Sequence, residues 1–417
     1  MVSMPSLSTA SMRRKWQVVS RTARIGRDLI SSRYEESRLP GGFRPNADDA
    51  FVAAAYFSSD VHSMYQLEQW LWPFEQLHDS LVRQGAGDAP FGILTRDARV
   101  ARHIASLTDL PVRFSRLTAG LEAFFSTPDL SAVFYVNQAT ANFQALRFPA
   151  PAHVHLSHGE SEKISMISNQ LKAYDYVFTA GQAARDRITS TLHGIDSEVL
   201  IDVGRPQLDR AFSVPEAWQR FAAEAPAGPT VFYAPTWEGD SPSMSYGTMA
   251  TTGAPAVAEL LDAGYRVILR THPRTGLLRS DFARALESVR EQVDAHPRGF
   301  VDTSSDVSWQ LDAADVAVAE MSSVAFDWLA TEKPLVMIAP TDSRAEVLRN
   351  GLIDRAVNWA SGGGVPLVDR LAEATDRDSR TLSAHYLGDT SPGTQIERFI
   401  GATRQVIESR RDVLGIG

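Results

Sequence analysis

Residues 315–340 read DVAVAEMSSVAFDWLATEKPLVMIAP, and this stretch decides the fold. It contains an apolar run at 315–320, a helical segment opened by two serines, and a second apolar run at 334–340. Uninterrupted apolar runs predict strands buried on both faces, and a helix between two of them predicts a parallel strand–helix–strand unit. The stretch therefore predicts an α/β fold in which helices cover both faces of a parallel sheet.

The same alternation extends along most of the chain. Further strands are predicted at residues 50–57, 91–95, 132–136, 152–157, 176–180, 231–236, 265–273 and 299–304. Helical patterns lie between them, at residues 64–82, 96–107, from near 254 and at 280–294, and the tail 393–412 reads as one helix. Residues 214–230, rich in proline and alanine, predict a connector.

These patterns predict two doubly wound, Rossmann-like domains that face a cleft, followed by a C-terminal helix. The expected segments are 1–45, a basic amphipathic N-terminal segment, 46–212 and 213–392, the two Rossmann-like domains, and 393–417, the C-terminal helix. A chain of 417 residues is long enough for two cores.

Composition excludes several classes of protein. The chain has no cysteine, which excludes disulfides, thiolate zinc sites and a cysteine nucleophile. A net charge of −9 argues against a nucleic-acid-binding surface, so no nucleic-acid partner is expected. The sequence shows neither an apolar run of membrane-spanning length nor a secretory signal, and we expect a cytoplasmic protein.

The N-terminal segment departs from this acidic average. Residues 12–33 carry seven cations and one anion, and Met12, Trp16, Val19, Ala23 and Ile30 recur at helical spacing. A basic amphipathic helix of this kind can lie on an anionic membrane surface, so the segment Met12–Arg33 predicts peripheral attachment to the inner face of the membrane. The alternatives are a solvated helix docked on the domain, or an unstructured arm.

Polar side chains gather where the predicted strands end, which is the edge at which open parallel sheets bind ligands. Ser322 and Ser323 follow one strand and open a helix, whose free N–H groups and dipole suit a phosphate. One serine there could simply be an N-cap, but two in succession favour phosphate binding.

Two histidines also follow strands. His272 stands beside Arg270 and Arg274, a set that could offset charge on a bound diphosphate; the alternative is an exposed basic loop. His158 precedes Gly159, which permits a tight turn, and could act as a general base near neutral pH.

A metal site is only weakly indicated. His153 and His155 share one face of a strand, a spacing that could suit a metal, although buried strand histidines are commonly satisfied by hydrogen bonds. We assign no metal ligand and no certain cofactor. The dinucleotide fingerprint, the P-loop and the G-x-S-x-G elbow are all missing from the sequence, which disfavours hydride transfer, P-loop ATP hydrolysis and α/β-hydrolase chemistry.

Taken together, the motifs resemble the CDP-glycerol glycerophosphotransferase family of teichoic acid primases and polymerases. The pieces that carry the resemblance are HGESEK, AYDYVFTAG, VGRPQLD, FYAPTWEG, RTHP and SSVAFDWLATEKPLV, in the family's order over residues 130–340. The resemblance implies a fold of the GT-B type, with an acceptor domain at 46–212 and a nucleotide-donor domain at 213–392.

The resemblance also implies roles for particular residues. His158 matches the candidate base, and His272 the histidine near the donor's diphosphate. Ser322 and Ser323 match the pair that holds phosphate. Thr236, Arg205, Arg270 and Gly159 complete the expected donor- and phosphate-binding set.

The chain departs from the family at two places. Ala319-Glu320-Met321 stands where threonine-aspartate-tyrosine is usual, and Glu332 replaces a usual glycine. The first departure puts the identity of the donor in doubt.

The function that follows is transfer of glycerol phosphate, or a related polyol phosphate, from a CDP-activated donor to a hydroxyl of a lipid- or glycan-linked acceptor, with release of CMP. One alternative is a glycosyltransferase or epimerase that uses a UDP-sugar, because the architecture is shared. Another is an inactive nucleotide-binding scaffold protein. A divalent metal is compatible with this chemistry, but no residue indicates one.

Overall fold

The computed structural model describes residues 31, 33–163, 166–304 and 307–416. Apart from residues 31 and 33, the segment predicted to bind a membrane lies outside the described residues, and that prediction stays a prediction. None of the helices in the described part of the chain is long and apolar enough to cross a membrane.

The first sheet has seven strands in the order β3-β2-β1-β4-β5-β6-β7. Its registers are parallel, with Ala53 opposite Phe91 and Val177 opposite Leu200. The strands are β1 Ala53–Phe57, β2 Phe91–Thr95, β3 Val112–Phe114, β4 Ala132–Tyr135, β5 Ala152–His155, β6 Tyr176–Thr179 and β7 Leu200–Asp202.

The second sheet has six strands in the order β10-β9-β8-β11-β12-β13. Parallel registers join them, with Val231 opposite Val267 and Ala317 opposite Leu335. The strands are β8 Thr230–Ala234, β9 Arg266–Leu269, β10 Gly299–Val301, β11 Val316–Ala319, β12 Leu335–Ile338 and β13 Val357–Trp359.

Helices connect these strands. Their bounds are α1 Tyr65–Glu68, α2 Leu71–Arg83, α3 Ala98–Ile104, α4 Thr118–Phe125, α5 Gln182–Thr191, α6 Glu216–Glu224, α7 Ala254–Asp262, α8 Ser280–Asp294, α9 Trp309–Ala313, α10 Ser323–Trp328, α11 Leu352–Arg355, α12 Leu367–Thr375, α13 Arg380–Leu387 and α14 Thr394–Leu414.

Strand β8 shows why its sequence is apolar without alternation. Phe232 packs into a core with Trp328 on one face of the sheet. Val231 and Tyr233 pack into a second core, with Val257, on the other face. Because both faces are covered, consecutive residues are all buried, as expected for a parallel sheet.

The described residues divide into two units. Residues up to 153 together with residues from 406 onward form one unit, and residues 154–405 form the other. The prediction of two doubly wound α/β sheets and a C-terminal helix is confirmed. The domain boundaries 46–212 and 213–392 stay a prediction.

Two local predictions need correction. The stretch 214–230 is not only a connector, since Glu216–Glu224 forms a helix that buries Trp218. The single helix predicted over 64–82 is interrupted between Glu68 and Leu71, two residues before Pro73. A proline near a helix start is favourable, because the first N–H groups have no intrahelical partner.

Glu332, the departure from the family's glycine, adopts the left-handed conformation with φ 56° and ψ 12°. Its carboxylate accepts a hydrogen bond from Arg380 Nε at 3.1 Å, in an exposed pair. Since this conformation strains a residue with a Cβ, we expect Glu332→Gly to raise the free energy of unfolding by up to about 1 kcal/mol.

Denaturant unfolding checks this expectation. Asn350→Gly is the matched control, because Asn350 has φ 58° and asparagine tolerates this region better than glutamate. A Glu332→Gly protein that is less stable than the wild type would show that the pair with Arg380 outweighs the backbone strain.

Candidate active site

The eight residues predicted for the site all lie in the unit formed by residues 154–405. They follow the carboxyl ends of strands β5, β7, β8, β9 and β11. Because β9, β8 and β11 are neighbours and parallel, their ends share one edge of the second sheet. The side chains placed there are Thr236, Arg270, His272, Ser322 and Ser323.

His158 lies in a strained turn after β5. Ser157, immediately before it, has φ 64°, a left-handed value that is uncommon outside glycine, asparagine and aspartate. The Ser157 hydroxyl donates to the Gly159 carbonyl at 3.1 Å, which closes the turn. His158 is half-buried, and strain of this kind is often found where a side chain must be held for function.

Gly159 brings the His158 turn against the serine pair. A Cβ at position 159 would lie 2.9 Å from Ser323 Cβ and 3.4 Å from Ser323 Oγ. A side chain there would force the two segments apart. The glycine therefore permits the segment HGESEK to approach the start of helix α10.

Ser322 does not serve as an ordinary N-cap. It is extended, with φ −150° and ψ 165°, and its side chain makes no capping hydrogen bond. Only 6% of Ser322 is exposed, while Ser323 is half-buried. The hydroxyl of Ser322 is therefore not committed to the helix that follows it.

His272 is held as a neutral donor. Burial, together with the positive charges of Lys163, Arg274 and Arg270, lowers the pKa of His272 to about 3. Nδ1 accepts the Arg274 N–H at 3.1 Å, so in the neutral ring the proton resides on Nε2. The imidazole stacks on Trp237, with ring centroids 6.0 Å apart. The histidine thus offers an Nε2–H to a ligand without carrying a charge.

Two of the predicted arginines are engaged by carboxylates. Arg270 Nη1 donates to Asp302 Oδ2 at 2.7 Å and to the Ser304 carbonyl at 2.9 Å. Arg205 donates from Nε to Asp327 Oδ1 at 2.8 Å, and from Nη2 to Asp327 Oδ2 at 3.3 Å. Both guanidinium groups are fixed in place, and the phosphate-binding role predicted for them stays a prediction.

Glu320 is the central group that sequence reasoning did not select. It is fully buried, and its carboxylate accepts the backbone N–H of Thr236 at 2.7 Å and that of Thr248 at 2.9 Å. The Thr248 hydroxyl also donates to it. Glu320 therefore fixes the loop that follows β8. The signal was present as an acidic residue directly after an apolar strand, in place of the family's aspartate.

Fixing this loop leaves Thr236 Oγ1 buried and, among the described residues, without a hydrogen-bond partner. Thr236 itself is 1% exposed. A buried hydroxyl without a partner costs free energy, which a ligand that hydrogen-bonds to it would remove.

Lys163, at the end of HGESEK, was also overlooked. Its Nζ lies 5.7 Å from the centroid of the Tyr246 ring. The pKa of Lys163 is lowered to about 8: burial is the main cause, the Glu320 carboxylate opposes the shift, and the charge of Arg274 contributes to it. Lys163 therefore places a second cation near His272, in addition to the guanidinium of Arg274.

Two more carboxylates hold loops of the site. Glu238 accepts the N–H groups of Gly276 at 2.9 Å, Leu278 at 2.9 Å and Arg279 at 3.1 Å. Glu162 accepts the Tyr386 hydroxyl at 2.6 Å and the Leu352 N–H at 2.8 Å. Each carboxylate lies within a quoted motif, but its partners lie 38–41 or 190–224 residues away, so sequence reasoning could not find them.

His153 and His155, the weakly indicated metal site, contact other groups of the protein. His153 Nδ1 is 2.7 Å from the Tyr135 hydroxyl and its Nε2 is 2.8 Å from the Phe148 carbonyl. The His155 ring packs on Tyr174, with centroids 5.1 Å apart. In the described part of the chain, no group of three or more His, Cys, Asp or Glu side chains could hold a metal ion.

Glu320 makes the stability of the protein depend on pH. Burial raises the pKa of Glu320 to about 7 from 4.5, so the stability it contributes is present below about pH 4.5 and is lost as the pH rises through 7. Between pH 5 and 8 we expect the free energy of unfolding of the wild type to fall by up to about 3 kcal/mol relative to Glu320→Gln.

Urea unfolding of both proteins across this pH range measures the difference. Because His272 and Lys163 titrate in both chains, their contributions largely cancel in the comparison. A wild-type to variant difference that is constant with pH would contradict the assignment.

Comparison with known families supports the resemblance that the motifs indicate. Residues 152–344 match the family described as CDP-glycerol:poly(glycerophosphate) glycerophosphotransferase. A search of curated proteins gives no match.

Solved structures with the same architecture include the wall teichoic acid polymerase TagF, with a TM-score of 0.53 and 13% identity over 97% of this chain and 100% of that chain. A variant of TagF has a TM-score of 0.54 and 13% identity, over 98% of this chain and 100% of that chain. The UDP-GlcNAc 2-epimerase from Methanocaldococcus jannaschii has a TM-score of 0.53 and 9% identity, over 84% of this chain and 99% of that chain. At such identities the likeness shows the fold alone, and the predicted GT-B type is confirmed.

The resemblance inferred from the motifs is also confirmed, since every predicted site residue falls inside the matched segment. Over residues 152–344 this chain is similar to the CDP-glycerol:poly(glycerophosphate) glycerophosphotransferase family, the family that its motifs resemble.

Proposed function

We propose that the protein transfers glycerol phosphate, or a related polyol phosphate, from a CDP-activated donor to a hydroxyl of a lipid- or glycan-linked acceptor in teichoic acid-like polymer synthesis. The observation that carries the proposal is the approach of Gly159 to Ser323, with 2.9 Å between a Cβ at position 159 and Ser323 Cβ. It sets the His158 turn beside two serines, one of them not used as a cap.

The proposed reaction is a direct displacement. The acceptor oxygen forms a bond to the β-phosphorus of the donor, and the bond from that phosphorus to the bridging oxygen breaks, so that CMP leaves with the electron pair. His158 accepts the proton of the attacking hydroxyl as general base. No covalent intermediate on the protein is needed.

The charge that spreads over the phosphoryl oxygens needs fixed donors. The Nε2–H of His272, the hydroxyls of Ser322 and Ser323, and the ammonium of Lys163 supply hydrogen bonds and positive charge there. Glu320 contributes indirectly, because its two backbone hydrogen bonds fix the loop that carries Thr236.

We assign donor binding to the domain 213–392 and acceptor binding to 46–212, with the reaction on the cytoplasmic side of the membrane. The assignment rests on the positions of Thr236, His272 and the serine pair in the second domain, and on the place of His158 after a strand of the first sheet.

Product analysis tests the proposal. The full chain is incubated with CDP-glycerol and a lipid-linked acceptor, and mass spectrometry follows both products. The expected result is an acceptor heavier by one or more glycerol phosphate units, with one CMP per unit. If CDP-glycerol is not consumed with any hydroxyl acceptor offered, the proposal is wrong.

Thermal-shift measurements of ligand binding distinguish the proposed function from the alternative that uses a UDP-sugar. Ligand stabilisation grows with the logarithm of concentration over Kd, so CDP-glycerol and CMP should raise Tm more than UDP-GlcNAc and UDP at equal concentration. The reverse order would favour an epimerase or glycosyltransferase, and CMP binding without turnover would favour the inactive scaffold protein.

A further inference from the structure

Two consecutive leucines project from the loop between strand β9 and helix α8. Leu277 is 70% exposed and Leu278 is 58% exposed. Single exposed apolar residues are normal on a soluble protein. Two adjacent leucines at the tip of one loop form a larger apolar surface, of the kind that marks an interaction site.

The exposure of these leucines is built into the backbone of the loop. The buried Glu238 carboxylate accepts the N–H groups of Gly276, Leu278 and Arg279. Gly276 has φ +81°, and a Cβ on it would lie 2.7 Å from Ala283 Cα. The loop is therefore held in one conformation that turns both leucine side chains toward solvent.

Arginines flank the leucines on both sides. Arg274 stacks on Trp237, with Cζ 3.7 Å from the ring centroid. Arg279 stacks on Phe282 at 4.8 Å and pairs with Asp281. Both guanidinium groups thus lie beside apolar surface, as they would at a boundary between water and lipid.

A second loop adds to this surface. Both loops are held by the segment that follows β8: Glu238 accepts backbone N–H groups of the loop that carries Leu277 and Leu278, and the Ser243 carbonyl accepts the Glu346 N–H at 2.9 Å. The second loop exposes Arg344, Leu348 and Arg349, with Leu348 39% exposed. Over the two loops there are four arginines and three acidic residues, Asp281, Asp342 and Glu346. Arg279 pairs with Asp281 and Arg344 pairs with Asp342, so the surface combines leucines with a net excess of one positive charge.

We propose that the leucine loop, residues 274–279, docks on an anionic bilayer by inserting Leu277 and Leu278 at the boundary between headgroups and acyl chains. The flanking arginines then lie at the level of the lipid phosphates. Docking itself does not depend on the reaction. Its purpose rests on the proposed function, since the loop follows directly on His272 and would bring the site to a lipid-linked acceptor.

The absence of native cysteine gives a site-specific test. A single cysteine is introduced by Leu278→Cys and labelled with an environment-sensitive fluorophore, and the full chain is mixed with vesicles. We expect a blue shift and brighter emission with phosphatidylglycerol–phosphatidylcholine vesicles, and little change with phosphatidylcholine alone. Leu117→Cys, at a leucine that is 57% exposed, is the matched control and should not respond.

A binding measurement adds a second readout. The double variant Leu277→Ser/Leu278→Ser should bind anionic vesicles at least about tenfold more weakly, while Leu117→Ser binds like the wild type. All chains carry the same N-terminal segment, so its contribution cancels. Unchanged binding of the double variant, or a label at 278 that stays in water while the protein is bound, would overturn the proposal.

The remaining outcomes are equally decisive. Emission that rises with protein concentration in the absence of vesicles would assign the surface to a second copy of the chain, and would also overturn membrane docking. Transfer to water-soluble glycerol tests the chemistry separately, because the double variant should keep it. A failed transfer with an inserting label would refute the proposed function alone.

Discussion

Replacing His158 by alanine should lower kcat by about 10²–10⁴-fold, the usual contribution of a positioned general base. The variant should remain folded, because His158 is half-buried and the turn is closed by a hydrogen bond from Ser157 to the Gly159 carbonyl. Steady-state rates of CMP release from CDP-glycerol, measured across pH with a soluble acceptor, give the result.

Two controls make this result specific. His193→Ala removes an exposed imidazole and should leave the rate unchanged. Added imidazole should restore part of the activity of His158→Ala, since it supplies the missing base in the space that the side chain leaves. Near-full activity of a folded His158→Ala protein would remove His158 from the mechanism.

Replacing Arg205 by methionine should lower the free energy of unfolding by about 3–5 kcal/mol, because it leaves the carboxylate of Asp327 buried without its cation. The side chains of Arg205 and Asp327 are 7% and 13% exposed. The exposed pair Arg147–Glu122 is the matched control, and Arg147→Met should cost less than about 1 kcal/mol. Denaturant unfolding measures both changes.

The double variant Arg205→Met/Asp327→Leu separates structure from ligand binding. Replacing both charges with apolar groups should restore most of the lost stability. If Arg205 also binds the donor, as its motif predicts, the restored protein will still bind CDP-glycerol weakly. If binding returns with stability, the arginine serves the fold alone. If Arg205→Met itself lowers the free energy of unfolding only slightly, the interpretation of this contact as a buried ion pair is wrong.

The sheets were predictable because burial on both faces leaves a continuous apolar run in each strand. This pattern is clear in Val316–Ala319 and Leu335–Ile338, where every residue is apolar and buried. Val112–Phe114, Leu200–Asp202 and Val357–Trp359 were missed, since a strand of three residues need not display a period. The helix Glu216–Glu224 was missed because its alanines and flanking prolines were interpreted as a linker, whereas its amphipathic pattern buries Trp218.

The site was predictable as far as strand ends define it. His158, His272 and the serine pair were selected because ligands bind where parallel strands end, and the structure does place them after strand ends; their roles stay a prediction. The supporting carboxylates could not be found, because the partners of Glu320, Glu238 and Glu162 are backbone or hydroxyl groups of distant loops. Nor does a single sequence reveal that Arg205 pairs with a carboxylate 122 residues further along the chain.

The bonds made by Glu162 limit how far the protein can be trimmed. Its carboxylate takes hydrogen bonds from Tyr386 and Leu352, and both donors lie beyond residue 344, where the family match ends. Excising 152–344 as a minimal catalytic fragment would leave the buried Glu162 side chain without these two donors, in the same segment that carries His158. Engineers who wish to graft this chemistry onto another scaffold should transplant the helices Leu352–Arg355 and Arg380–Leu387 along with it.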